Sequence, residues 1–533
     1  MHFAIRRALI IALAPISAAA YAGDPAQTTW SSFRNGGNSR VSGILPESWS
    51  PEQGVKWQAE TDGYGQSAPV IFDETIYVTS TIGLMKEVCA ITALDISNGR
   101  VLWQHRQKAS QTGASNYMYS RAAPTPVVDS MATYAFFESG DLIAVKNTGA
   151  RMWHRNLAAE FGPFQTRHGL GASLAQSDQF LFLNIEHHGP SRLIAVRKSD
   201  GYIAWQARRP SGSSWTSPIV AKDVVVVSSA GSVAAYDLEG GTLRWTIEGL
   251  EGNSVPSPCI VDDRLFVGAR IPEFGSASDA AKSNLCVKLI GDRAEIAWRS
   301  KGAACDYASP IVDEGRVYFL NKVGVLSCLN AQTGDTLYRA RLGAECWATP
   351  VVAHNGIYFF GKGGATKVIA RASDFRLLST NYLWDSRDPP TPETYREADS
   401  GGPRHGHDSA RIEHKSEAEA GGPRRGGAGG MIAALLKRDA NEDGVLQEEE
   451  LSVDFRPILR RVDANSDGVL DKAELEAMAK SFAERRRNSR SSSRDPIVYG
   501  VAAIPGAVVI RTGTRLFCVT STSDRPPAGG VNP

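Results

Sequence analysis

Apolar residues in this chain come in short runs separated by polar turns, and the runs recur. Each recurrence opens on a small residue and a proline that lead into an apolar pair. Ala68-Pro69-Val70-Ile71, Thr125-Pro126-Val127-Val128, Ser217-Pro218-Ile219-Val220, Ser257-Pro258, Ser309-Pro310-Ile311-Val312 and Thr349-Pro350-Val351-Val352 are the copies. A second apolar run follows a polar turn, at 224–227, 265–267, 317–320 and 357–360. A third element is a strand and a turn whose glycine precedes an aromatic by four residues: Gly99 and Trp103, Gly149 and Trp153, Gly201 and Trp205, Gly241 and Trp245, Gly334 and Tyr338. Runs this short, bounded by Gly, Asp, Asn and Pro, predict strands and hairpins rather than helices.

The spacing of the openings decides the architecture. Units of about 40–50 residues with four strands each match the blades of a propeller. One such sheet cannot bury both of its faces, whereas a ring of them can. Seven units start near Gln66, Ala122, Gly171, Trp215, Val255, Tyr307 and Trp347. An eighth, at 499–520, supplies only three runs. The run at 55–58, which contains Trp57, is the expected fourth strand, and its pairing would leave no open seam. The prediction is an all-β, eight-bladed β-propeller of four-stranded antiparallel blades.

Residues 385–495 break the pattern between the seventh and eighth units. The stretch at 385–430 is rich in Gly, Pro, Arg and Glu and is expected to be a disordered linker. His405, His407 and His414 lie in it without apolar periodicity or cysteine, so they read as solvated linker. Residues 431–483 differ. Two twelve-residue stretches, 439–450 and 463–474, place Asp439, Asn441 and Asp443, then Asp463, Asn465 and Asp467, at positions 1, 3 and 5. Gly444 and Gly468 follow at position 6, Val445 and Val469 at 7, Gln447 and Asp471 at 9, Glu450 and Glu474 at 12.

Calcium takes six to eight oxygens, and this order wraps carboxylates, a carbonyl and a bidentate glutamate around one centre. Both loops resemble EF-hands at every ligand position, which implies two calcium sites. Leu446 and Leu470, at position 8, would pack between the loops. Ile432, Leu435 and Leu436 before them and Leu475, Met478 and Phe482 after them have helical spacing, predicting a small α-helical pair. A second linker at 484–495 leads to the last blade at 496–522 and a tail at 523–533. Only twelve residues, Pro457 among them, separate the loops, which favours a compact pair holding structural calcium.

The first residues set the expected compartment. Arg6 and Arg7 precede an apolar stretch and Ala20-Tyr21-Ala22, the pattern of a signal peptide at 1–22, with blades one to seven and the closing strand at 23–384. The protein is expected to be exported, periplasmic or secreted. No cysteine follows the cleavage signal, so no lipid anchor is expected, and no later apolar run is long enough for a membrane span. With 58 basic against 57 acidic residues, no electrostatic case exists for nucleic acid. Export permits disulfides. Among the seven cysteines Cys305 with Cys346 is one candidate bridge, and Cys328 and Cys518 read as buried thiols in strands.

The Ser/Thr-Pro openings and the aspartate–glycine–tryptophan turns resemble the pyrroloquinoline-quinone-type repeats. Those repeats occur in quinoprotein dehydrogenases and in the outer-membrane β-barrel assembly lipoprotein family. The resemblance implies the propeller and two roles: an interaction or ligand-binding scaffold, or oxidation of alcohols or sugars with pyrroloquinoline quinone in the channel. The dehydrogenases carry adjacent cysteines near the cofactor, and here no two cysteines are neighbours. The scaffold is therefore the preferred reading, with a protein partner or small ligand at the propeller face and no catalytic residue assigned. Asp306 reads as a turn residue. His154, His168, His187, His188 and His354 are scattered over different units. Trp215 and Trp347, at unit openings, are candidates to line the channel mouth and stack a ligand.

Overall fold

The computed structural model describes residues 29–113, 119–271, 281–385 and 496–521, together with 387, 388, 390, 391, 393, 439, 441, 443–447, 450 and 467–477. These residues form eight four-stranded sheets, all antiparallel. Seven are built from consecutive strands, and blade four, with strands Ile219–Ala221, Val224–Ser229, Ser232–Asp237 and Leu243–Ile247, is typical. Blade eight has Gly500–Ile504, Ala507–Arg511 and Arg515–Thr520, and its outer strand is Val55–Glu60. Trp57 pairs with Cys518 and Gln58 with Phe517. The two ends of the ring are thus hydrogen-bonded within one sheet.

The core lies between successive blades. Tyr134, Phe136 and Leu142 of blade two meet Leu181, Leu183 and Ile194 of blade three, all almost wholly buried. Second and third strands are buried on both faces, whereas outer strands such as Thr336–Arg341 alternate toward exposure. That alternation is the period-2 signature of a half-covered sheet.

The glycine turns and the aromatics four residues on serve neighbouring blades. Trp205, on the outer strand of blade three, lies against Gly241 in the last turn of blade four and donates its indole N–H to the Leu238 carbonyl at 3.0 Å. A Cβ on Gly241 would stand 2.4 Å from the indole. Trp57 on Gly99, Trp103 on Gly149, Trp153 on Gly201 and Trp298 on Gly334 repeat the contact, each indole bonding a carbonyl of the adjoining turn. Glycine is required twice over at these turns, by positive φ and by the approaching ring.

Residues 29–50 cross one end of the channel and touch every blade. Trp30 forms a bridge with Ile71 of blade one, and the Ser31 carbonyl accepts from Val128 N of blade two and Gln176 Nε2 of blade three. Gly37 abuts Ile219 of blade four. Arg34, 2% exposed, donates to the carbonyls of Ser257 and Pro258 in blade five, Pro310 in blade six and Gly37. Burial lowers its pKa from the ordinary guanidinium value. Val41 N bonds the Val352 carbonyl in blade seven, and the Ile44 carbonyl accepts from Gly506 N in blade eight. Arg40 pairs with the buried Asp313 at 2.9 Å. The segment is a plug, and it begins the path that ends in the closing strand.

All seven cysteines are buried and free, so the Cys305–Cys346 bridge does not form. The Cys305 thiol instead donates to the Ala308 carbonyl at 2.6 Å. Among the described residues no helix is long and apolar enough to cross a membrane. The signal-peptide and tail segments and the linker histidines lie outside the described residues, as does nearly all of both linkers.

Candidate functional site

Two regions carry candidate chemistry: the acidic loops of the insertion and the channel mouth opposite the plug. In the loops, Gly444 and Gly468 have φ of 85° and 83°, the positive values that a loop folding back on itself requires at position 6. Leu446 and Leu470 exchange backbone hydrogen bonds at 3.0 and 2.9 Å and are almost wholly buried, as is Leu475. The position-8 leucines therefore join the two loops as a short antiparallel bridge.

Around that bridge the carboxylates turn inward. Gly444 N donates to Asp439 Oδ2 at 2.9 Å, and Gln447 N donates to Glu450 Oε2 at 3.1 Å. In the second loop Asp471 N donates to Glu474 Oε2 and Val469 N to Asp467 Oδ1. Asp443 accepts from Val445 N, which holds its carboxyl below the usual range, and also from the Asn441 and Gln447 amides. Residues 472–477 are helical.

Asp439 Oδ1 is buried and has no hydrogen-bond partner among the described residues. A buried carboxylate oxygen left so is costly unless a donor or a cation meets it. That unmet oxygen would suit a hard cation, for which the expected ligands in the first loop are Asp439, Asn441, Asp443, Val445, Gln447 and Glu450. Asp467, Val469, Asp471 and Glu474 are the described residues that would hold an ion in the second loop. Asp463 and Asn465 lie outside the described residues, as do Ile432, Leu435, Leu436, Met478 and Phe482. Among the described residues no three His, Cys, Asp or Glu side chains are gathered closely enough to hold an ion. In the first loop the Asn441 and Gln447 amides both engage Asp443.

The channel mouth is built from the segments that precede each first strand and from the turns between second and third strands. Antiparallel pairing puts these on one face of the ring. An aromatic three residues ahead of the opening proline, as in Tyr307 before Pro310 and Trp347 before Pro350, falls on that rim. Tyr307 and Trp347 have ring centroids 5.4 Å apart, and Trp347 and Tyr499 5.9 Å apart, with tilts of 40° and 54°. Tyr499 shares a 2.8 Å hydroxyl hydrogen bond with Tyr64. The Trp347 indole donates to Glu345 Oε1 at 2.7 Å, and Lys362 Nζ stands 4.5 Å over its ring. Trp215 is not part of this cluster and packs over Gly171.

Across the rim, a small polar recess between blades one and two is lined by Thr81, Lys86, Thr112, Glu138 and Ser139. Lys86 and Glu138 form a 3.1 Å ion pair there. Asp141, buried beneath it, accepts from Ser110, Ser139 and His154, the last at 2.6 Å. Both serines bond the carboxylate rather than the imidazole, so the set has no nucleophile on a base. Asp306 accepts from Lys322 N in a turn. His187 caps its own loop, accepting from the Gln165 and Gly189 amides, and burial lowers its pKa.

The family model described as outer membrane protein assembly factor BamB matches residues 48–165, 146–276 and 288–397, well over half of the chain. The chain belongs to this family. In this BamB-family chain the matched segments cover blades one to seven and the closing strand, and the acidic loops and the last three strands of blade eight fall outside them. It is 21% identical over 218 residues to an outer membrane protein assembly factor BamB from Yersinia pestis, covering 37% of this chain and 51% of the relative. It is 26% identical over 211 residues to one from Moranella endobia (strain PCIT), covering 38% and 46%. The chain thus spans about half the length of the curated relatives it matches. Among solved structures it resembles BamB from Moraxella catarrhalis, at TM-score 0.46 and 16% identity over 62% of this chain and 91% of that one. A europium-containing methanol dehydrogenase gives TM-score 0.46 and 12% identity over 67% and 86%.

The sequence reading missed the plug and the Tyr64–Tyr499–Trp347–Tyr307 cluster as a unit. Trp30, Val41, Leu45 and Trp49 were signals of a buried segment, but they follow neither helical nor strand spacing.

Proposed function

We propose that this chain is an exported propeller scaffold that binds a protein partner in outer-membrane protein assembly and holds two calcium ions in an inserted EF-hand pair. The partner and the exported location rest on membership of a family described by that assembly role. The calcium reading rests on the loops themselves. Its carrying observation is the buried Asp439 Oδ1, which has no hydrogen-bond partner among the described residues, set in a loop joined through Leu446 and Leu470 to a second of the same design.

Calcium would supply charge compensation for the inward carboxylates and an ionic tie between each loop's first and last residues. The chain's own residues then have fixed parts. Leu446, Leu470 and Leu475 hold the pair together, Gly444 and Gly468 fold each loop back, and Glu450 and Glu474 close each shell. Equilibrium dialysis of calcium against the full chain tests this. Wild type is expected to hold two ions per chain, and Glu450→Gln and Glu474→Gln each one, because a bidentate carboxylate is lost. Wild-type affinity in both variants would show that these residues are not the ligands.

A further inference from the structure

The aromatic cluster at the channel mouth is separate in sequence from the acidic loops, and a site there deepens the scaffold reading by naming its ligand class. Tyr307, Trp347 and Tyr499 belong to blades six, seven and eight, and all three are half-buried. Blade packing alone explains an aromatic that disappears into the core, as Tyr358 does. It does not explain why two charged side chains are arranged around a half-exposed indole. Glu345 fixes the Trp347 ring by its N–H, and Lys362 lies over its face. Those two charges also face each other at 3.6 Å, so the site is locally neutral.

Geometry and charge together restrict the ligand. A flat aromatic is gripped between near-parallel faces, and rings tilted by 40° and 54° offer no such parallel pair. A local balance of one ammonium and one carboxylate offers an anion no net attraction. A puckered ring with an apolar C–H face and hydroxyls at its edge meets both conditions. The face rests on the rings, and the edge hydroxyls find a carboxylate acceptor in Glu345 and an ammonium donor in Lys362. We infer that the channel mouth at Tyr307, Trp347 and Tyr499 is a binding site for a neutral saccharide.

The test is saturation-transfer NMR on the full chain with maltotriose, cellotriose and chitotriose, followed by titration of whichever binds. At least one trisaccharide is expected to bind saturably. Trp347→Ala should weaken it by about tenfold or more, the size of one lost ring contact. Trp347→Phe should recover part of that affinity, and Tyr202→Ala, in the turn before the outer strand of blade three, should leave it unchanged. Equal thermal midpoints for the variants keep a folding defect from passing as a binding defect. Pyrroloquinoline quinone serves as the planar anionic probe. Failure of all three sugars, binding of the quinone alone, or binding indifferent to Trp347→Ala would each overturn the assignment.

Discussion

Gly241 and Gly315 share nearly the same backbone, with φ of 68° and 74°, but only Gly241 faces a neighbour, the Trp205 ring. Gly315→Ala should therefore cost only the left-handed backbone penalty of about 1 kcal/mol. Gly241→Ala adds a clash with an indole held by its own hydrogen bond, and should cost about 3 kcal/mol. Urea midpoints of the two variants measure the difference, and equal losses would mean that the Trp205–Gly241 contact has no packing role. Arg34 makes a second residue-scale case. Arg34→Met keeps the bulk but leaves the carbonyls of Ser257, Pro258 and Pro310 without their donor in a buried site. A loss of about 3 kcal/mol is expected, and a loss below about 0.5 kcal/mol would remove the plug from the account.

At the scale of elements, the blades were legible because their signal repeats. Each Ser/Thr-Pro opening and each glycine-to-tryptophan spacing states the same packing problem again, so errors in one copy are corrected by the next. Even the incomplete eighth unit could be matched with Trp57, since the missing tryptophan had to come from somewhere. The plug was not legible for the opposite reason. Its contacts are made once each, to eight different blades, through Arg34, Ser39 and backbone groups that leave no periodicity. Likewise the mouth cluster joins Tyr64 to Tyr499 across the ring closure, residues far apart in sequence whose meeting depends on the closing strand. In the acidic loops only the local turn geometry was legible: Gly444 and Gly468 take positive φ, and Leu446 meets Leu470 as the order within twelve positions led one to expect. As an element the insertion should respond to chelator alone: far-UV helical signal is expected to fall while the strand signal stays. Loss of both together would mean that the blades depend on the loops.

For the molecule as a whole, the seven buried thiols set an alkaline limit. Burial pushes Cys305, Cys346 and Cys518 up to about 12 and Cys328 up to about 11, from an ordinary thiol value of 9.0. A folded pKa raised above the unfolded one means that the native state holds the proton more tightly. The stabilisation is complete below about pH 9 and is lost as pH rises toward 12. Thermal midpoints should be level through neutral pH and fall across that window, and a Cys305→Ala, Cys346→Ala double variant should show a shallower fall. The same burial predicts that none of the seven reacts with a thiol reagent at pH 8 until the ring unfolds.

The central claim is a closed, self-sufficient ring that carries a separate calcium-responsive insertion. Amide hydrogen exchange of the full chain with and without calcium tests it most directly. The account predicts slowed exchange within residues 431–483 when calcium is added and no change in the blades or the plug. Unchanged exchange in 431–483, or protection spreading through the blades, would contradict it.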